Sequence, residues 1–323
     1  MALRFGLLLI ALLAAVAASA ALGSVRVPPV EVWAAIFGNG TESSSTIVCE
    51  LRLPRSLLAA IVGASLAASG AAFQSLFRNP LADPFVIGSA SGAALGATLV
   101  IALGAAGTFG VPLGAFVGAL LATGGVFLFA SLGKPGSLVH LLLAGAAASS
   151  FLSALVWLIL STKDQNAMQV IAWLMGNLAG KGWAGVVGAL PFSLLGLAIL
   201  QLASRPLDAL THGTETARAL GLPVTLAAIA IVGGASLATA GAVAAGGIIG
   251  FVGMIAPHVA RRIVGPAHRA LTPAAALVGA LLLVVADLAA RTLVAPTELP
   301  VGVVTAIVGA PIFLAILWNH PKP

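Results

Sequence analysis

The feature that most constrains this chain is a series of unbroken apolar runs, each about twenty residues long, separated by short polar segments. In the hydrocarbon core of a bilayer only helices and closed barrels satisfy their backbone hydrogen bonds. Barrel strands alternate apolar and polar residues and carry aromatic girdles, whereas these runs do not alternate and the sequence contains no tyrosine. The sequence therefore predicts an all-α integral membrane protein.

Ten spans are expected from these runs, which places both termini on one side of the membrane. The predicted spans cover residues 5–22, 55–76, 85–104, 112–131, 139–160, 183–203, 224–243, 247–264, 270–294 and 301–318. The apolar segment 166–178 is too short to cross, so we expect a surface or re-entrant helix there. The span at 247–264 contains Gly250, Gly253 and Pro257, and we expect it to be short or broken.

Two local patterns, a possible signal cleavage site in the first apolar run and pairs of glycines four residues apart, also support predictions. Ala18-Ser19-Ala20 resembles a signal cleavage site, but the run of residues 5–22 is long enough to span, so we interpret it as an uncleaved first span. Small residues four apart let helices approach closely in lipid. We expect such contacts at the pairs Gly92/Gly96 and Gly246/Gly250.

Charged residues are scarce and unevenly placed. They make up 7% of the chain, against about 25% in soluble domains, so residues 1–323 are expected to form one membrane domain without a sizeable soluble part. With cytoplasmic termini, the inside receives nine Lys and Arg residues and the outside six. This bias favours cytoplasmic termini. The net charge of +6 is therefore interpreted as membrane anchoring and not as nucleic-acid binding.

The sequence lacks the residue combinations that catalysis or a resident cofactor would need. It has no pair of carboxylates within the predicted spans, no His-x-x-x-His motif and a single cysteine, Cys49. The two Gly-Lys pairs lack the upstream glycine of a phosphate-binding loop. We therefore expect no enzyme activity and no metal or cofactor bound by this chain.

Asp287 and Arg291 are ionisable residues within the predicted span 270–294. Their spacing of four residues suits a local ion pair on one helix face. An intramembrane carboxylate is also what an ion-coupled secondary transporter would need, so a carrier that uses Asp287 stays open as an alternative. A membrane-embedded scaffold without a pathway is a second alternative.

Three polar segments interrupt the apolar background. The first is Arg52-Leu53-Pro54-Arg55, at the outer entry of the second span. The second is residues 77–84, whose two prolines force extended backbone before them and predict a fixed turn. The third is the cytoplasmic loop 204–223, with a predicted short helix at 215–220 and Gly221 as its left-handed stop. Composition leaves partner docking and a solvated connection equally open for this loop.

In this order, these segments resemble the permease family of type II ABC importers for iron-siderophores, haem and cobalamin (FecCD/BtuC-like). The resemblance extends over nearly the whole chain. It rests on residues 52–55, 63–74, 79–84, 141–145, 215–221, 247–258, 286–291, 298–302 and 309–311. It implies ten spans with cytoplasmic termini in the inner or cell membrane of a bacterium or archaeon.

The same resemblance implies partners. The chain would be the permease subunit of an ATP-driven importer, would pair with a second permease copy, most simply as a homodimer, and would work with two ATPase subunits and an external substrate-binding protein. ATP and Mg would bind the partner ATPase and not this chain. The cargo would be an iron-siderophore, haem or cobalamin-type chelate, with selectivity residing mainly in the binding protein.

The resemblance also assigns roles to individual residues. The arginines that would face glutamates on the binding protein are Arg52, Arg55 and Arg291. The residues that would couple the permease to its ATPase are Glu215, Arg218 and Gly221. The residues that would narrow the translocation path on the cytoplasmic side are Asn79, Leu81, Ser137, Leu138 and Val139.

Overall fold

The computed structural model of the chain describes residues 1–23, 25–132, 138–162 and 167–318, apart from the side chains of residues 131, 132, 138, 316 and 317. Every regular element in these ranges is a helix. The α-helices are α1 (Ala2–Ala21), α2 (Pro29–Ile36), α3 (Glu42–Ser45), α4 (Leu53–Leu76), α5 (Ser89–Ala102), α6 (Gly110–Leu132), α7 (Leu138–Thr162), α8 (Ala167–Leu174), α9 (Gly182–Leu202), α10 (Ser204–Thr211), α11 (Thr214–Ala219), α12 (Val224–Gly246), α13 (Val252–Val264), α14 (His268–Thr292) and α15 (Val301–Trp318). A π-helical segment, Thr46–Arg52, joins α3 to α4.

Seven helical stretches of the described chain are long and apolar enough to cross a membrane. They are α1, the continuous stretch Glu42–Leu76, α6, α7, α9, α12 and α14. Helices α5, α13 and α15 lie at the other three predicted positions, but with 14, 13 and 18 residues they are shorter. The predicted all-α class is confirmed, whereas the predicted number of ten spans is not confirmed.

Helix α4 lies at the centre of the bundle, and most of its residues from Pro54 to Leu76 are buried. It packs against α9, α12, α13 and α14. It approaches α14 closely at Gly63, where an added Cβ would lie 2.2 Å from the carbonyl oxygen of Gly279. No side chain fits in that space, so glycine at both positions allows the two backbones to touch.

The predicted close contact at Gly92 and Gly96 is confirmed. A Cβ at Gly92 would lie 2.3 Å from the carbonyl oxygen of Gly118, and one at Gly96 would lie 2.0 Å from that of Gly114. Two glycines on α5 thus face two glycines on α6, and the two helices form a tight antiparallel pair.

The outward faces of the peripheral helices carry large exposed apolar side chains, such as Leu7 on α1, as expected of helices in lipid.

Both segments for which the sequence predicts a short helix contain one, and the surface or re-entrant position of the first stays a prediction. Helix α8 has only eight residues, and its apolar side chains Val170 and Trp173 pack into the bundle. Helix α13 begins only at Val252, after a residue in the left-handed region, Phe251 with φ +70°. The expectation for Gly250 was wrong, because nothing lies within 4 Å of the position where its Cβ would be. Gly250 belongs to the non-helical stretch before α13 and makes no close helix contact there.

Candidate docking and coupling sites

An ion-pair cluster joins the start of α4 to the end of α14. Arg55 Nε lies 2.9 Å from Asp287 Oδ1, and Arg55 Nη1 lies 2.7 Å from Glu298 Oε2. Arg291 Nε lies 3.1 Å from Asp287 Oδ2. The predicted local pair of Asp287 and Arg291 is therefore present, and the sequence reasoning missed that Arg55 shares the same carboxylate. Asp287 is 0% exposed, so its charge is balanced entirely within the chain.

Arg52 and Arg291 also hold the C-terminal end of α1. Arg52 Nη1 donates to the carbonyl oxygens of Ala20 (2.9 Å) and Ala21 (3.0 Å). Arg291 Nη2 donates to Ser19, whose hydroxyl lies 2.7 Å from that of Ser56 on α4. These contacts tie α1, α4 and α14 together at one end of the bundle.

The three arginines predicted to dock the binding protein are thus buried and partnered within the chain. Arg52, Arg55 and Arg291 are 7%, 9% and 4% exposed. All three nevertheless line one cavity of about 410 Å³ at this end of the bundle, together with Glu50 and Lys181. Burial lowers the pKa of Lys181. The docking role of the arginines stays a prediction, and the cavity is where a partner side chain would have to reach them.

Loop 204–223, which the sequence predicts to be cytoplasmic, folds into two helices where the sequence predicted one. Helix α11 confirms the predicted short helix, and α10 was missed because Pro206 and the surrounding polar residues are typical of a loop. A proline is tolerated in the first turn of a helix. Leu207 and Leu210 of α10 are 0% and 2% exposed and pack into the core beside Leu76 and Phe77. The loop is therefore anchored to the bundle.

Helix α11 ends at a left-handed glycine, as predicted. Gly221 has φ +77°, its N–H donates to Arg218 O at 2.9 Å, and the N–H of Leu222 donates to Ala217 O at 3.0 Å. This pair of hydrogen bonds is a Schellman motif. Ala217 is buried, whereas Glu215, Arg218 and Gly221 are exposed. The three predicted coupling residues thus lie together on the outer surface of an ordered helix end.

The segment between α4 and α5 is a fixed turn, as its prolines predicted. Asn79 Oδ1 accepts the N–H of Leu81, and Asp83 Oδ1 accepts the N–H of Phe85, both at 2.9 Å. Burial raises the pKa of Asp83 to about 6, against the opposing hydrogen bond from Phe85. Asn79 is exposed and Leu81 is half-buried.

The other half of the predicted gate lies at the start of α7. Ser137 lies outside the described residues, as does the side chain of Leu138, and Val139 is 63% exposed. Further along α7, a Cβ at Gly145 would lie 2.3 Å from the carbonyl oxygen of Val86. Helix α7 therefore packs against the chain that leaves the 77–84 turn, and the role of these residues in a gate stays a prediction.

A hydrogen-bonded chain that sequence reasoning missed joins α10, α14 and α4. Asp208 Oδ1 accepts the backbone N–H of His268 (2.9 Å) and lies 2.7 Å from His268 Nδ1. His268 Nε2 lies 2.7 Å from Ser75 Oγ. His268 is 1% exposed. No sequence signal could have found this chain, because its members are far apart in sequence and Asp208 was assigned to a loop.

A basic cavity of about 470 Å³ opens beside the hydrogen bonds that join Asp208, His268 and Ser75. Thr211 of α10 and Ser75 of α4 line it, and so do four basic residues: Arg78, Arg261, Arg262 and His258. Arg261 donates to Gln74 Oε1 at 2.6 Å. Among the described residues that line the cavity there is no carboxylate, so its charge is suited to an acidic partner.

The fold and these sites define a multi-pass helical membrane protein in which the helix pair α10–α11 packs against the bundle. The profile of the FecCD transport family matches residues 9–319. The chain belongs to the FecCD transport family. It is a permease subunit of an ABC importer in the cell membrane and not an enzyme.

Individual relatives agree with this assignment. The chain is 41% identical over 279 residues to the cobalamin import system permease protein BtuC of Halobacterium salinarum, covering 86% of this chain and 75% of that protein. It is 39% identical to the hemin transport system permease protein HmuU of Yersinia pestis, covering 98% and 96%. A solved ABC transporter of metal-chelate type, described as inward-facing, superposes with a TM-score of 0.88 at 33% identity and covers 98% of this chain and 99% of its own.

Proposed function

We propose that this chain lines the pathway by which an iron-siderophore, haem or cobalamin-type chelate passes from an external binding protein into the cytoplasm. The names of its relatives support this class of cargo, since they include cobalamin, hemin and iron-hydroxamate permeases at 34–41% identity. The observation that carries the proposal is the ordered α10–α11 pair, because an importer driven by a separate ATPase needs a fixed cytoplasmic surface for that subunit to push.

The ATPase would contact the exposed end of α11. Glu215, Arg218 and Gly221 supply this surface, and the buried side chains of α10 hold it in place. The basic cavity beside α10 suits acidic residues on the ATPase. ATP and Mg would be bound by that subunit. The termini would lie on this cytoplasmic side.

The permease would act as a homodimer with the pathway along its axis. Helix α7 supports this arrangement, because it exposes Val139, Leu143 and Phe151 and its first turn is one of the predicted gate segments. Asn79 and Leu81 would narrow the path from the adjacent turn.

The binding protein would sit over the opposite end of the bundle. Arg52, Arg55 and Arg291 line the cavity there, so glutamates of the binding protein would meet them inside it. If so, Arg52→Gln should slow association with the binding protein and weaken its salt dependence. An unchanged association rate and salt slope would limit Arg52 to holding α1.

The alternative of an ion-coupled carrier that uses Asp287 is not favoured. Two arginines pair with the Asp287 carboxylate, and it is fully buried. A coupling carboxylate must exchange its ion with the pathway, whereas this one is enclosed by α4 and α14. The geometry is that of a structural cluster.

Co-purification tests the proposed function. The chain should be expressed with ABC ATPase and binding-protein candidates from the same organism, and the complex should be isolated and reconstituted in liposomes. We expect the ATPase to co-purify and its hydrolysis rate to rise when the loaded binding protein is added. A chain that purifies without an ATPase, or a rate that ignores the binding protein, would contradict the proposal.

A further inference from the structure

Helices α4 and α14 are fastened to each other at both ends and in the middle. At the outer end Arg55 and Asp287 form a buried ion pair with a 2.9 Å contact. At the middle the backbones touch at Gly63 and Gly279, with no room for a side chain. These two fixed points leave the outer halves of the helices without freedom to slide.

The third fixed point lies at the inner end. Ser75, one residue before the end of α4, hydrogen-bonds the first residue of α14, His268, at 2.7 Å. Arg55 and Ser75 are twenty residues apart, so the fixed points cover about 30 Å of helix, the thickness of the hydrocarbon core. Sliding by one helical turn would move partners apart by about 5.4 Å and would break both polar contacts.

Helix α10 is joined to the same inner end by Asp208. Its carboxylate accepts both the backbone N–H and the Nδ1–H of His268. The residue before α14, Ala267, offers no side-chain cap, so Asp208 supplies from another helix the acceptor that the N-terminus of α14 needs. With Nδ1 donating to Asp208, Nε2 is the acceptor for the hydroxyl of Ser75. A single imidazole thus links the cytoplasmic helix to both membrane helices.

We infer that α4 and α14 move as one rigid rod that carries the displacement of α10 and α11 to the outer ion-pair cluster, with Asp208 and His268 as the positioning residues at its inner joint. This inference rests on the proposed ATP-driven function. Protein interiors are close-packed and transmit displacement without yielding. Of the helices packed on α4, α14 is the one with a polar tie to it at each end among the described residues. The rod therefore connects the ATPase side with the binding-protein side.

The joint can be tested with a matched pair of variants at Asp208, whose side chain is 41% exposed. Asp208→Ala removes the acceptor for both His268 donors. Asp208→Asn keeps an oxygen in the same place. Both should be measured in liposomes with the ATPase and binding protein, recording substrate taken up per ATP hydrolysed and the ATP-induced change in binding-protein affinity.

We expect Asp208→Ala to lower uptake per ATP and the affinity change by about tenfold, since two hydrogen bonds are lost. Asp208→Asn should keep at least half of the wild-type uptake per ATP and at least half of the wild-type affinity change. A purely structural role would lower the melting temperature of Asp208→Ala and leave uptake per ATP as in the wild type, and that outcome would overturn the inference. If the wild-type complex showed no ATP-dependent uptake, the proposed function itself would fail instead.

Spin labels test whether α4 and α14 move together without any change to Asp208 or His268. Labels on the exposed residues Leu51 and Leu293, beside the outer ends of α4 and α14, report the distance between the helices. Cys49 should first be replaced by serine. We expect the same distance in the nucleotide-free and ATP-trapped complexes. A change of more than about 5 Å, one helical turn, would show that the helices move separately and would overturn the inference.

Discussion

Replacing Asp287 with asparagine should destabilise the protein more than the matched change at Glu298, which belongs to the same ion-pair cluster. Asp287 is fully buried and pairs with Arg55 at 2.9 Å and Arg291 at 3.1 Å. Asparagine keeps the size but removes the charge, which leaves Arg55 with Glu298 as its remaining carboxylate and Arg291 with none among the described residues. Breaking a buried ion pair on one side costs about 3–5 kcal/mol. We expect a loss of that size in the free energy of unfolding.

The measurement is unfolding by sodium dodecyl sulfate in mixed micelles, followed by far-ultraviolet circular dichroism. The matched control is Glu298→Gln, which removes a carboxylate from the same cluster where the side chain is 37% exposed. Exposure to solvent weakens an ion pair, towards about 0–1 kcal/mol for a fully exposed one, so this half-exposed carboxylate should cost less to remove than the buried Asp287 carboxylate. If Asp287→Asn lost no more than Glu298→Gln, the cluster would not fasten α4 to α14 as reasoned above.

Three further predictions concern other parts of the chain. Because burial raises the pKa of Asp83 to about 6, the folded state holds a proton that the unfolded state releases, and the protein loses stability as the pH rises from about 4 through 6. Thermal melts should therefore show that Asp83→Asn is more stable than the wild type at pH 7, with a gain that vanishes towards pH 4. An equal gain at both pH values would contradict the raised pKa. Arg218→Glu combined with Gly221→Pro should abolish uptake while ATP hydrolysis persists, because proline cannot adopt the φ of +77° at Gly221; normal uptake would make loop 204–223 a mere connection. Gly63→Ala should cost about 1–3 kcal/mol of unfolding free energy, because the added Cβ would lie 2.2 Å from the carbonyl oxygen of Gly279. The control Gly233→Ala has open space at that position and should cost nothing measurable in the dodecyl sulfate unfolding assay.

The sequence was informative where local physics decides the structure. Long apolar runs and scarce charge predict membrane helices because the backbone has no other partner in lipid. The turn at residues 77–84 and the stop at Gly221 followed from the restricted backbone of proline and the freedom of glycine. The number of spans could not be predicted in this way, because an apolar run can be longer than the helix within it. The run at residues 85–104 is an example, since α5 begins only at Ser89, after Gly88 with φ +83°.

Contacts between distant segments could not be predicted in the same way. Arg55 and Glu298 are 243 residues apart in sequence, and Asp208 and His268 are 60 apart. Nothing in the local pattern pairs them. Arg52, Arg55 and Arg291 were assigned to a binding surface because of a family resemblance, and their burial in contacts within the chain appears only when the helices are packed.

Uptake into liposomes is the measurement that tests the central claim most directly. The permease, its ATPase and its loaded binding protein should be reconstituted, and transport of the radiolabelled ferric or cobalt chelate followed with ATP inside. We expect uptake that requires hydrolysable ATP and persists when a protonophore collapses the proton gradient. Uptake that proceeds without ATP, or that stops when the gradient is collapsed although ATP is present, would contradict an ATP-driven permease and favour a carrier that uses Asp287.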